Sequence, residues 1–80
     1  MSYYVYILLC EDSSYYTGHT KDVERRFEQH SKGLGSRYTK IHKPVRILYV
    51  EECGSLSQAM ERERQIKTLG HSQKQQLATR

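Results

Sequence analysis

The chain is 80 residues long with a formal net charge of +4; 36% of its residues are hydrophobic, 28% are charged, and it has five glycines and one proline. That length leaves room for one domain over 1–80 with a small core, because a chain of this size buries only roughly 60–65% of its unfolded surface. The composition excludes a disordered or low-complexity chain, and the positive charge suits an anionic partner without demanding one.

The longest apolar run, Tyr3 to Cys10, falls well short of the about 20 residues that cross a bilayer. It lacks the charged flank and small-residue cleavage site of a signal peptide, so no membrane association is expected. Cys10 and Cys53 stand far apart with no metal-ligand spacing between them, which fits a reduced, cytoplasmic chain rather than a disulfide framework.

Tyr3-Tyr4-Val5-Tyr6-Ile7-Leu8-Leu9-Cys10 has no polar alternation and reads as a strand covered on both faces. Glu11 to Ser14 is a turn cluster, and Tyr15-Tyr16-Thr17-Gly18 reads as the returning strand of a hairpin. Thr20 is the expected N-cap of a helix from about Lys21 to Lys32 that stops near Gly33 and Gly35. At about 100° per residue, Val23, Phe27, His30 and Leu34 form one stripe, flanked by Arg26, whereas Arg25 points nearly the opposite way.

Lys32 to Arg46 reads mostly as a basic loop without an acidic residue. Pro44 closes it and Val45–Val50 is the third strand. Ser55 to Gln58 fits a capping box that opens a helix over about Leu56–Leu69, stopped by Gly70. With Leu56 at zero, Met60 lies at about 40°, Ala59 at about 300°, Ile66 at about 280° and Glu63 at about 340°, in the middle of the apolar face, while Glu61 faces solvent. A second capping box from Ser72 to Gln75 opens a short helix over about 73–79. The expected architecture is α+β, a small three-stranded sheet flanked by helices in the order β-β-α-β-α-α.

Each notable polar residue has two readings. Glu63 on a buried face needs a partner, because an unpaired buried charge is very costly; the partner is a metal ion at a cleft or the cation of a salt bridge. Arg26 either snorkels along the apolar stripe or grips a phosphate bidentately and stabilises its developing charge. His30 is a satisfied core histidine, or it presents a nitrogen to a phosphate or water. Tyr6 and Tyr16 supply packing area with the hydroxyl at an edge, or converge on a water, for which a phenol of pKa about 10 needs a nearby cation. Lys32, Arg37, Lys40 and Lys43 are a solvated run or a phosphate-contacting surface, with Tyr38 available for stacking.

Taken together, Tyr4-Val5-Tyr6 followed ten residues later by Tyr16-Thr17-Gly18 resembles the paired signature of the GIY-YIG nuclease superfamily. Arg26 and His30 are similar to the family's helix with its catalytic arginine and following histidine, and Glu63 to its metal-binding glutamate. The resemblance covers about residues 3–70 and is closest to small standalone members. Tyr4 stands where the first signature has glycine, and Thr17 where the second has isoleucine.

The resemblance implies hydrolysis of phosphodiester bonds, most simply in DNA, with one divalent ion, Mg²⁺ or Mn²⁺, on Glu63. It implies that Arg26 neutralises charge on the phosphorus centre. Tyr16 or Tyr6, helped by His30, would orient and deprotonate water, and Gly18 would allow close backbone approach. The alternatives are a nucleic-acid binding module of the same fold with little or no catalysis, and a protein-interaction domain that needs no metal.

Overall fold

The computed structural model describes residues 2–79; Met1 and Arg80 lie outside them. Among the described residues, β1 (Tyr3–Cys10), β2 (Tyr15–Thr20) and β3 (Pro44–Cys53) form one antiparallel sheet of order β2-β1-β3. The helices are α1 (Val23–Ser31), α2 (Arg37–Ile41), α3 (Leu56–Lys67) and α4 (His71–Ala78). No helix of the described residues is long and apolar enough to cross a membrane.

The unbroken apolar sequence of β1 is explained by its place at the centre of the sheet, where Val5, Tyr6, Ile7 and Leu8 are all buried. Strand alternation sends Val5 and Ile7 to one face, where they pack with Cys53, Ala59 and Ile66. Tyr3, Tyr15, Leu48, Tyr49, Leu69 and Leu77 close around that cluster. A register shift between Ile7 and Leu8 leaves Leu48 as an extra residue in β3, beside Tyr49 in the same cluster. Tyr6 points to the opposite face, toward His30 on α1.

The turn after β1 is held by Asp12, whose Oδ1 accepts hydrogen bonds from Ser14 N (3.1 Å) and Ser14 Oγ (2.6 Å). Thr20 does not cap α1; the cap is Asp22, whose carboxylate accepts from Arg25 N at 3.1 Å. Thr20 Oγ1 instead accepts from Asp22 N at 3.2 Å, a local turn that sets up the cap and delays the helix to Val23. At the other end Gly33 has a φ of 76°, and its N–H and that of Leu34 donate back to His30 O and Gln29 O. This is the Schellman pattern, and it turns Leu34 out of the expected stripe to 73% exposure.

The segment 32–46 is not a plain loop. Ser36 accepts from Thr39 N at 3.1 Å and starts α2, a five-residue helix too short to show any hydrophobic period. The element order is therefore β-β-α-α-β-α-α.

Ser55 caps α3 as expected, accepting from Gln58 N at 3.2 Å, but the Gln58 side chain reaches back to Gly54 N rather than to the cap residue. The buried side of α3 is set by Ala59 and Ile66, while Leu56 and Met60 are 43% and 50% exposed. The helix is thus rolled away from the face centred on Leu56, which places Glu63 at the rim of the core. Arg62 ties α3 to β3 through Glu51 at 2.9 Å. The last helix begins at His71 rather than after Ser72: the Gln73 side chain accepts from Gly70 N at 2.9 Å, satisfying the helix start two residues early.

Candidate active site

The sheet face opposite the aliphatic core carries a buried polar chain. Tyr6 Oη lies 2.8 Å from His30 Nε2, and His30 Nδ1 lies 2.7 Å from Thr39 Oγ1. Three elements meet here: β1 supplies the phenol, α1 the imidazole and α2 the hydroxyl. Burial, with the Arg26 cation second, pushes the His30 imidazole down to about 4, so the ring is neutral at neutral pH. Burial and the neighbouring Tyr16 push the Tyr6 phenol up to about 12, although Arg26 pulls the other way.

Two glycines make room for this chain. Gly18 pairs with Tyr6 across the β1–β2 ladder, and a Cβ there would lie 2.5 Å from Tyr6 Oη. A Cβ on Gly35 would lie 2.1 Å from His30 Nδ1. Gly35 also accepts a hydrogen bond on its carbonyl from Arg26 Nη2 at 2.9 Å, and Arg26 Nη1 donates to Gln29 Oε1 at 3.0 Å. The guanidinium is thus aimed by two acceptors and keeps further N–H donors for an anion. It borders a cleft of about 310 Å³ lined by His19, Thr20, Lys21, Asp22, Arg25, Arg26 and Gln29. Arg25, expected on the far side of α1, borders the same cleft, because the cleft wraps around the start of the helix.

Tyr16 sits beside this chain, with its ring centre 5.0 Å from that of His30 and 6.4 Å from that of Tyr6. On its other flank Tyr38 stacks at 5.7 Å, and Tyr38 stacks in turn on His42 at 4.3 Å. Tyr38 therefore finds its stacking partners within the chain. Lys32, Arg37, Lys40 and Lys43 are all exposed, and Lys32 pairs with Glu28 at 3.0 Å.

Glu63 approaches from α3. Its Oε1 lies 2.7 Å from His19 Nδ1 and its Oε2 lies 3.0 Å from Lys67 Nζ. Burial alone would raise this carboxyl, but the hydrogen bonds from His19 and Lys67 outweigh it and hold it below the usual carboxylate range. His19 connects Glu63 to the cleft that Arg26 borders, and the negative charge of Glu63 is felt at Tyr6.

Among the described residues no group of three His, Cys, Asp or Glu side chains gathers as a metal cage. The donor set nevertheless fits Mg²⁺, which binds through one or two carboxylates, keeps several waters and takes its remaining ligands from substrate phosphate.

His19, Gly35 and Thr39 were not singled out in the sequence. Strand alternation signals His19, because it falls on the face opposite Gly18 and so toward α3. Nothing local marks Thr39, which reaches His30 through a helix that has no sequence period.

A model of the GIY-YIG catalytic domain matches residues 2–76. The chain is 44% identical over 75 residues to the UPF0213 protein of Staphylococcus saprophyticus subsp. saprophyticus, covering 94% of this chain and 92% of that one. It is 45% identical over 76 residues to a UPF0213 protein of Staphylococcus aureus, covering 95% and 93%. Two solution NMR structures share the fold: a UPF0213 protein from Bacillus halodurans (TM-score 0.61, 42% identity) and a protein from E. faecalis (TM-score 0.66, 38% identity), each covering 99% of this chain and 84% of the other. The chain belongs to the GIY-YIG family, alongside the UPF0213 proteins, and its GIY-YIG catalytic domain points to nuclease activity on DNA.

Proposed function

We propose that the protein is a metal-dependent endonuclease that hydrolyses phosphodiester bonds in DNA at the centre formed by Tyr6, Tyr16, Arg26, His30 and Glu63. The observation that carries this reading is the Tyr6–His30 contact of 2.8 Å beside an arginine pre-aimed by Gly35 and Gln29. Its two acceptors are neutral, so its positive charge is left uncompensated by them at the cleft it borders.

Arg26 binds the scissile phosphate and stabilises the charge that develops on it. Lys21 and Arg25, exposed on the same cleft, hold neighbouring phosphates. Tyr6 orients the attacking water and takes its proton while passing its own phenolic proton to His30 Nε2, so that the phenol stays neutral and the positive charge is carried transiently by the His30 imidazole, facing the negative charge that develops on the phosphate. Tyr16 packs against both rings and limits their motion. Gly18 leaves the space that the Tyr6 hydroxyl occupies.

Glu63, steadied by His19, would hold Mg²⁺ or Mn²⁺. The ion, when bound, supplies Lewis-acid polarisation of a phosphate oxygen and stabilises the leaving group. Lys67 and His19 must give up part of their hold on the carboxylate for that to happen. Arg37, Lys40 and Lys43 carry the DNA backbone past the cleft through sequence-independent contacts.

A second reading, a nucleic-acid binding module with little catalysis, is favoured by one observation: both Glu63 oxygens already have partners. Branched, flapped and linear DNA incubated with Mg²⁺ or Mn²⁺ separates the two. The nuclease reading expects cleavage that Glu63→Ala and Arg26→Ala abolish. Binding without cleavage, with affinity that survives Glu63→Ala, supports the binding module.

A further inference from the structure

We infer that Thr39 is a positioning residue that fixes His30 in the tautomer bearing its proton on Nδ1, leaving Nε2 free to accept the proton of Tyr6. The inference deepens the nuclease reading, and it rests on that reading only for its consequence in catalysis.

His30 is fully buried and both ring nitrogens have one partner each, Tyr6 Oη at 2.8 Å and Thr39 Oγ1 at 2.7 Å. A neutral imidazole has one N–H and one acceptor nitrogen, so one partner must donate to the ring and the other must accept from it. Both partners are hydroxyls and either is chemically able to take either role. What decides is where each hydroxyl proton has an alternative.

Tyr6 is 1% exposed, its hydroxyl pairs with His30 Nε2 at 2.8 Å, and the Arg26 guanidinium that also bonds its oxygen only donates. Among the described residues, the acceptor that its phenolic proton reaches is His30 Nε2. Thr39 is 2% exposed but has a choice: Ser36 Oγ lies 3.0 Å from its hydroxyl and Ser36 O lies 3.4 Å away. Sending the Thr39 proton to Ser36 frees a lone pair to accept from His30 Nδ1. Every polar group is then satisfied in one direction: Tyr6 donates to His30, His30 to Thr39, and Thr39 to Ser36. The opposite direction would leave the buried Tyr6 proton without an acceptor, at a cost of about 1–3 kcal/mol.

The fold holds Thr39 in this place. Ser36 accepts from Thr39 N at 3.1 Å as the cap of α2, so the short helix and the end of the polar chain are one structure. Gly35 lies against the ring at a point where no side chain fits, which blocks the imidazole from turning away. The basic segment thus has a second role besides any contact with DNA, because it supplies the residue that orients the histidine.

The test reads the tautomer directly, by the one- and two-bond ¹⁵N–¹H correlations of the His30 ring at neutral pH. Wild-type protein is expected to show the Nδ1–H form alone. Thr39→Val, which keeps the shape and removes the hydroxyl, is expected to populate the Nε2–H form and to lower the DNA cleavage rate about 100-fold. Thr39→Ser restores both the tautomer and the rate. A wild-type ring in the Nε2–H form overturns the inference, whether or not the variants fold. So does a Thr39→Val ring that stays in the Nδ1–H form. If the tautomer behaves as stated but wild-type protein cleaves no DNA, the positioning role stands and the nuclease reading fails.

Discussion

Tyr6 and Gly18 face each other across β1 and β2 so closely that a methyl group on Gly18 would sit 2.5 Å from the Tyr6 hydroxyl oxygen. The glycine of the second signature is therefore a space reserved for the phenol of the first. Gly18→Ala must displace the Tyr6 ring from His30, because the clash falls on the hydroxyl itself and the ring is packed on all sides. Overpacking of this kind costs about 1–3 kcal/mol. The expected outcome is a lower midpoint in urea denaturation together with a cleavage rate reduced as much as in Tyr6→Phe. A Gly18→Ala protein of wild-type stability and rate would show that the space is not needed.

Arg26 and Glu63 should fail in different ways. Arg26→Ala removes a phosphate donor and is expected to weaken both DNA binding and cleavage, the latter by about 10²–10³-fold. Glu63→Gln keeps the shape of the side chain and removes the charge that would hold the metal. It should leave binding in the absence of metal intact while reducing cleavage by a similar factor. Fluorescence anisotropy without divalent ions, followed by single-turnover cleavage with Mg²⁺, separates the two effects.

The exposed cations of the α2 segment predict a salt dependence. If Arg37, Lys40 and Lys43 each neutralise one phosphate, replacing any one by alanine lowers the slope of log affinity against log salt by about 1. The loss should be equal for DNA of different sequence, because phosphate contacts carry no sequence information. An affinity titration between low and moderate salt checks both statements.

His30 predicts how stability changes with pH. Its folded pKa is lowered to about 4 from 6.5, so above pH 6.5 both folded and unfolded chains are neutral at this site and it contributes no pH dependence. As pH falls from 6.5 toward about 4, the unfolded chain takes up a proton that the folded chain refuses. Stability is therefore lost across that window, with a limiting slope of about 1.4 kcal/mol per pH unit. Urea denaturation of wild type and His30→Gln should diverge in slope within that window and run parallel above it.

Much of the fold was legible in the sequence, and the contacts around the candidate site that were not share a cause. Helical phase separated half-buried Arg26 and Glu63 from exposed Arg25 and Glu61, because α1 and α3 are long enough for a period to register, although Arg25 borders the same cleft as Arg26. The unbroken apolar run of β1 pointed to a strand covered on both faces for the same reason: a pattern was present over many residues. The residues left unmarked act through contacts distant in sequence. Thr39 reaches His30 across nine positions from a one-turn helix, and His19 meets Glu63 across 44. Gly35 was read with Gly33 as a helix stop, yet only Gly33 has the positive φ that a stop requires. The phases of Leu56, Met60, Ala59 and Ile66 put Glu63 in the middle of one apolar face, but only Ala59 and Ile66 are buried while Leu56 and Met60 are exposed, so Glu63 lies at the edge of the buried side.

The most direct test of the account is the single-turnover rate of DNA cleavage in Mg²⁺ by wild type, Tyr6→Phe, Arg26→Ala and Glu63→Gln, each confirmed as folded by circular dichroism. The account predicts cleavage by wild type and a loss of about 100-fold or more in every variant. Cleavage that persists unchanged in all three variants, or a folded wild-type protein that cuts none of the branched, flapped or linear DNA offered to it, would contradict it.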